Sequence, residues 1–179
     1  MPFSLPYKTQ LYALVFLFIF TTNCSNSKSN TTANTATSKQ VNTAIPVYDF
    51  KTFEPLLYTD TDKTYLVNFW AMWCAPCVKE LPYIEAFAEK RPDVEVLLVS
   101  LDFPKDIDTK LKPFLEDKNI NAKVVLLDDP DANSWIDQIN PNWTGAIPYT
   151  ILFNKDKRLY FEGSFESIND IETQIQNLN

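Results

Sequence analysis

The segment Asn68-Phe69-Trp70-Ala71-Met72-Trp73-Cys74-Ala75-Pro76-Cys77-Val78-Lys79-Glu80-Leu81-Pro82 constrains the fold more than any other part of the chain. Val67 to Trp70 are β-branched and aromatic, apart from Asn68, and predict a strand. From Ala75 to Lys90, Val78, Leu81, Ile84 and Phe87/Ala88 recur at helical spacing. Cys74 therefore lands where a strand ends and a helix begins. Free N–H groups and the macrodipole at a helix start favour negative charge, so a thiol placed there is expected to ionise more readily than usual. Cys74 is the expected attacking sulfur, and Cys77, one turn further in, is placed to close a disulfide and release a bound partner. Pro76 stiffens the first turn at little cost, because the amide hydrogen it lacks would have no helical partner there.

Two other uses of a C-x-x-C pair fit poorly. Zinc takes four ligands, usually Cys and His in two knuckles, whereas the chain has no histidine and one further cysteine, Cys24, far upstream. No metal site is expected. Two unrelated core cysteines would leave the preceding strand, the following helix and the adjoining Trp73 unexplained.

Asn-Phe-Trp-Ala-x-Trp-Cys-x-Pro-Cys resembles the active-site segment of the thioredoxin superfamily. Its details resemble the membrane-anchored periplasmic thiol-disulfide oxidoreductases of the TlpA/ResA kind, over roughly residues 45–179. Asn68 stands where thioredoxin has a buried aspartate, and Glu80, three residues past the second cysteine, is followed by Leu81-Pro82, as is common in that branch. The resemblance implies an α/β, thioredoxin-like fold with a central mixed sheet flanked by helices. It also implies an extra helix-strand insertion at about 106–127.

The N-terminus reads as a separate segment. Lys8 is the single basic side chain of residues 1–10, and the apolar run from Leu11 to Phe20 is too short to span a bilayer but fits a secretory signal. Cys24 then follows Thr21-Thr22-Asn23, which resembles a bacterial lipoprotein signal in which the cysteine becomes the lipidated first residue. Thr21 and Asn23 depart from the usual residues of that signal, and a free cysteine in an ordinary leader is the other reading. The expected organisation is a signal peptide over 1–23, a disordered Ser/Thr/Asn/Ala-rich tether over 24–44 and a folded domain over 45–179. The location implied is the cell envelope, on the periplasmic side, with the domain held to the membrane by a lipid anchor.

Within the folded part, Pro46 to Tyr48 predict a short strand, and Phe50, Phe53, Leu56 and Leu57 a first helix. Pro82 is expected to kink the active-site helix. Val94 to Leu101, apolar apart from Glu95 and Ser100, form a run of the kind found in buried parallel strands. Ile107, Leu111, Phe114, Leu115 and Ile120 predict a helix, Lys123 to Leu127 a strand, and Asp128 to Pro141 a short helix carrying Trp135, Ile136 and Ile139. Trp135 and Trp143 read as packing residues. Pro148 opens an apolar strand, which suits a strand's first residue or an edge. Base rates favour a trans peptide there, whereas the family resemblance implies a cis Pro148 facing the dithiol, with Ile147 offering its backbone to an extended substrate. A polar turn, Asn154 to Lys157, joins this strand to Arg158 to Glu162 in a hairpin. Ile168, Ile171, Ile175 and Leu178 predict a closing amphipathic helix.

Glu80 has two readings: a partly buried acid/base that exchanges a proton with Cys77, or a solvated helix glutamate paired with Lys79 or Lys90. Trp73 is expected beside Cys74 on a docking surface, although a tryptophan is commonly core or rim. Sixteen Lys+Arg against 23 Asp+Glu give a net charge of −7 without a basic block, which argues against a nucleic-acid partner. The resemblance implies an enzyme without a cofactor that exchanges disulfides with cysteine-containing envelope proteins and draws electrons from a membrane donor. Reductant chemistry, cytochrome c maturation included, is favoured over disulfide formation, because strong oxidases of the DsbA type usually carry histidine within C-x-x-C. Peroxiredoxin-like peroxide reduction is the alternative on the same scaffold, but its Thr-x-x-Cys loop is missing. Copper delivery would require C-x-x-x-C and a distant histidine.

Overall fold

The computed structural model describes residues 44–59 and 61–178. The expected signal peptide, Cys24 and the tether up to residue 43 lie outside the described residues. Six strands build one mixed sheet: β1 (Val47–Tyr48), β2 (Thr64–Trp70), β3 (Val94–Ser100), β4 (Lys123–Leu127), β5 (Tyr149–Phe153) and β6 (Arg158–Glu162). Their spatial order is β1-β4-β3-β2-β5-β6. The pairings β1–β4, β4–β3 and β3–β2 are parallel, and β2–β5 and β5–β6 antiparallel. The helices are α1 (Phe50–Phe53), α2 (Ala75–Lys90), α3 (Lys112–Asp117), α4 (Ala132–Ile139) and α5 (Ile168–Leu178). This is the mixed sheet flanked by helices that the sequence implied.

Alternation along β2 divides the interior in two. Leu66 and Trp70 face α2 and α5, packing with Leu81, Ile84, Phe87, Ile171 and Ile175. Val67 and Phe69 face the opposite side, against Phe50, Phe53, Leu57, Trp135 and Trp143. Burying each large apolar side chain in such a core contributes roughly 1.5–3 kcal/mol. Trp143 stacks on Tyr149 with ring centroids 4.0 Å apart, and its Nε1 donates to the Ala146 carbonyl at 2.8 Å. Trp135 lies 5.9 Å from Phe50, ring to ring. Both tryptophans are buried packing residues, as expected from the sequence.

Prolines decide where the helices depart from simple periodicity. α1 stops at Phe53 and Glu54–Leu57 continue as a 3-10 turn, because Pro55 has no amide hydrogen to extend the α ladder. The predicted helix from Ile107 is composite: a 3-10 turn at Pro104–Asp106, a π turn at Ile107–Leu111, and then α3. The Lys112 amide bonds the Ile107 carbonyl five residues back, just ahead of Pro113. Ile120 lies past the helix end. There Asn119 adopts φ 54° and the Ile120 amide bonds the Leu115 carbonyl at 2.9 Å, closing a left-handed cap. α2, in contrast, runs as one helix through Pro82.

The insertion is tied to α2 by a buried carboxylate. Glu85 accepts hydrogen bonds from the Asn121 amide (2.9 Å), Asn121 Nδ2 (3.1 Å) and the Ala122 amide (3.1 Å). This delivers the chain into β4, which lies between β1 and β3. Gly145, at φ +84°, turns the chain toward the Ile147–Pro148 peptide, which is cis. A Cβ there would be strained and would lie 3.3 Å from Ile136 Cδ1.

Candidate functional site

Cys74 is the N-cap of α2, its carbonyl accepting from the Val78 amide at 3.0 Å. Cys74 and Cys77 form a disulfide with Cα atoms 5.3 Å apart. The two sulfurs differ in access: Cys74 is 6% exposed and Cys77 fully buried, so an incoming group reaches Cys74 first. Cys74 Sγ accepts from the Cys77 amide at 3.3 Å and lies 3.6 Å from the Ile147 carbonyl oxygen. Cis-Pro148, at the head of β5, thus stands across from the dithiol. Trp73 is 64% exposed immediately before Cys74. Cys74, Cys77, Ile147 and Pro148 are brought together, with Trp73 at the rim, while Cys24 lies outside the described residues.

Glu80, one turn past Cys77, is fully buried. Asn68 Nδ2 donates to its Oε1 at 2.8 Å and the Phe165 amide to its Oε2 at 2.8 Å. Burial pushes the carboxyl up to about 7, and the hydrogen bonds from Phe165, Asn68 and Ser164 only partly oppose this. The lysines of the solvated reading are engaged elsewhere, Lys79 with Glu166 at 2.6 Å and Lys90 with Glu172 at 3.2 Å. A carboxyl near neutrality is able both to accept and to give a proton at physiological pH.

Asp102 is a site-adjacent residue that the sequence analysis missed. It sits buried just past β3, where its Oδ1 and Oδ2 accept from the Met72 amide at 3.2 and 3.1 Å and Oδ2 accepts from Ser100 Oγ at 2.8 Å. Burial raises its pKa above the ordinary carboxylate value. Its carboxylate holds the loop leading into Cys74. The sole sequence signal was an acid directly after the largely apolar segment Val94–Leu101, of which Glu95 is exposed. Among the described residues no cluster of His, Cys, Asp and Glu is suited to hold a metal ion.

Comparison with known proteins agrees with this architecture. The thioredoxin-related protein of Neisseria meningitidis serogroup B superposes with a TM-score of 0.55 at 20% identity, covering 65% of this chain and 85% of that one. A secreted Mycobacterium tuberculosis disulfide oxidoreductase homologous to DsbE gives 0.51 at 19% identity, covering 66% and 84%. In sequence, the chain is 30% identical over 110 residues to the thiol-disulfide oxidoreductase ResA of Geobacillus kaustophilus, covering 60% of this chain and 58% of that protein. It is 29% identical over 97 residues to ResA of Bacillus thuringiensis, covering 54% and 52%. The chain thus spans somewhat over half the length of these curated relatives. The sequence model of the AhpC/TSA family matches residues 46–161, from the start of β1 through most of β6 and across the whole dithiol site, and the chain belongs to that thioredoxin-like family.

Proposed function

We propose that this protein is a thiol-disulfide oxidoreductase that exchanges disulfides with cysteine-containing proteins of the cell envelope through Cys74 and Cys77. The observation that carries the reading is the Cys74–Cys77 pair at the start of α2, with the more accessible sulfur 3.6 Å from the Ile147 carbonyl beside cis-Pro148. In the reducing direction, the Cys74 thiolate attacks a partner disulfide, forming a mixed disulfide and releasing one partner thiolate. Cys77 gives its proton to Glu80 and attacks Cys74 Sγ, which re-forms the Cys74–Cys77 disulfide and releases the second partner sulfur as a thiolate. Two electrons pass to the partner, and a membrane donor restores the dithiol. Trp73 and the Ile147 backbone hold the segment that carries the partner's cysteine.

The finer reading is an exported reductant, with cytochrome c maturation as the expected service. Residues 1–23 act as its signal peptide, lipidated Cys24 as its anchor and 24–44 as its tether on the periplasmic side. Its support is the apolar run Leu11 to Phe20 followed by Cys24, and the absence of histidine from Cys74-Ala75-Pro76-Cys77. Among the described residues no helix is long and apolar enough to cross a membrane. Equilibration of the purified chain against defined thiol buffers tests the direction: a potential near about −270 mV is expected, and one near about −120 mV overturns the reductant reading in favour of disulfide formation. Peroxide reduction would ask for threonine where Ala71 stands, and a peroxide-consumption assay is expected to show no turnover above that of a Cys74→Ser control. Mass analysis of membrane-extracted protein is expected to show an acylated Cys24.

A further inference from the structure

Asn68, Glu80 and Thr150 meet in a compartment closed to solvent, all three fully buried. Asn68 Nδ2 has two hydrogens and uses both, one toward Glu80 Oε1 at 2.8 Å and one toward Thr150 Oγ1 at 3.0 Å. Asn68 Oδ1 has no hydrogen-bond partner among the described residues. A buried carbonyl oxygen left unpaired is unusual.

This orientation suits a carboxylate and conflicts with a carboxylic acid. Oε2 already accepts from the Phe165 amide, so a proton added to Glu80 belongs on Oε1. There it would confront an N–H of Asn68, donor against donor. Half a turn of the amide about the Cβ–Cγ bond exchanges Nδ2 and Oδ1. Oε1–H then donates to Oδ1, and the Thr150 hydroxyl, which accepts from Nδ2 in one orientation, donates to Oδ1 in the other. Thr150 is placed for either role because it lies directly opposite Asn68 in the β2–β5 register. The observed orientation leaves Oδ1 without a partner and the rotated one leaves both Nδ2 hydrogens without one, so the rotated orientation is reached only where the match to a protonated Glu80 offsets the second unpaired group.

We propose that Asn68 is a two-position amide that rotates as Glu80 gains and loses its proton, keeping a matched partner for the buried carboxyl in both states. Asn68 is a positioning residue for proton handling by Glu80, and its part in turnover rests on the dithiol reading above. The groups around Glu80 are few. The loop after β6 contributes Ser164, Glu166 and the Phe165 amide, Glu166 being paired to Lys79 of α2, and Cys77 lies one turn back on the same helix. The two neighbouring strands contribute Asn68 and Thr150, neither of which titrates. With a carboxyl pushed up to about 7, the protonated form that the rotated amide matches is reached near neutral pH.

The test is a titration of the oxidised, isotope-labelled full chain, in which neither Cys74 nor Cys77 can ionise. The Glu80 side-chain carbon and both Asn68 Nδ2 protons are followed by NMR from about pH 9 to about pH 5, a range that brackets the carboxyl midpoint. As the carboxyl protonates, both amide protons are expected to move upfield together, with the Glu80 midpoint, because both bonds are surrendered in one rotation. The proposal is overturned if the Glu80-facing proton moves while the Thr150-facing one stays, if neither moves, or if their midpoint differs from that of Glu80. No substrate enters the experiment, so absence of disulfide exchange would remove the functional reading and leave this result unaffected, and the converse holds too.

Discussion

Glu80 ties chemistry to stability. Its folded-state pKa, about 7, lies above the ordinary 4.5 because burial penalises the charge. Between those two values the folded protein keeps a proton that the unfolded chain has lost. Stability therefore falls as pH rises through that window, by about 3 kcal/mol in all. Asp102, also raised by burial, acts in the same direction. Denaturant unfolding at a series of pH values is expected to show the decline in the wild type and to show most of it gone in Glu80→Gln, which keeps the shape without the charge. For the sulfurs, Cys77→Ser is expected to trap the mixed disulfide on Cys74, visible as a reducible adduct with a disulfide-containing peptide. Cys74→Ser is expected to form no adduct, since the remaining sulfur is buried.

At the scale of elements, α2 is the organising piece. Its start holds the dithiol, its second turn holds Glu80, and its third turn reaches the insertion through Glu85. Glu85→Ala leaves the Asn121 and Ala122 amides without their acceptor. Such a loss costs about 1–3 kcal/mol, and faster hydrogen exchange at those two amides, with Cys74 reactivity retained, is the outcome expected. The helical spacing of Val78, Leu81, Ile84 and Phe87 was enough to place α2, because burial on one face imposes that period wherever the helix sits. The composite entry into α3 was not legible from the same kind of spacing. Pro113 changes the hydrogen-bonding pattern without disturbing the apolar periodicity, so Leu111, Phe114 and Leu115 look alike in either case.

Across the whole molecule, stability comes from two apolar layers on opposite faces of one sheet. Ile84, fully buried between α2 and the sheet, is a direct probe of the first layer. Ile84→Ala is expected to cost about 2–5 kcal/mol, read as a lower denaturation midpoint at unchanged slope. The β-branched and aromatic residues of Val67 to Trp70 already implied a strand, and the Trp-Cys-Ala-Pro-Cys segment already placed a dithiol at a helix start. Those features depend on neighbours within a few residues, so the sequence by itself determined them. Three others joined residues far apart in the chain, and only the tertiary structure decided them. Asp102 meets the Met72 amide across 30 positions, and Thr150 meets Asn68 across 82. Glu80 receives the Phe165 amide across 85. Local periodicity carries no record of such pairings. Whether a helix glutamate is a solvated charge or a buried acid near neutrality depends on which strands and loops close over it once the chain has folded.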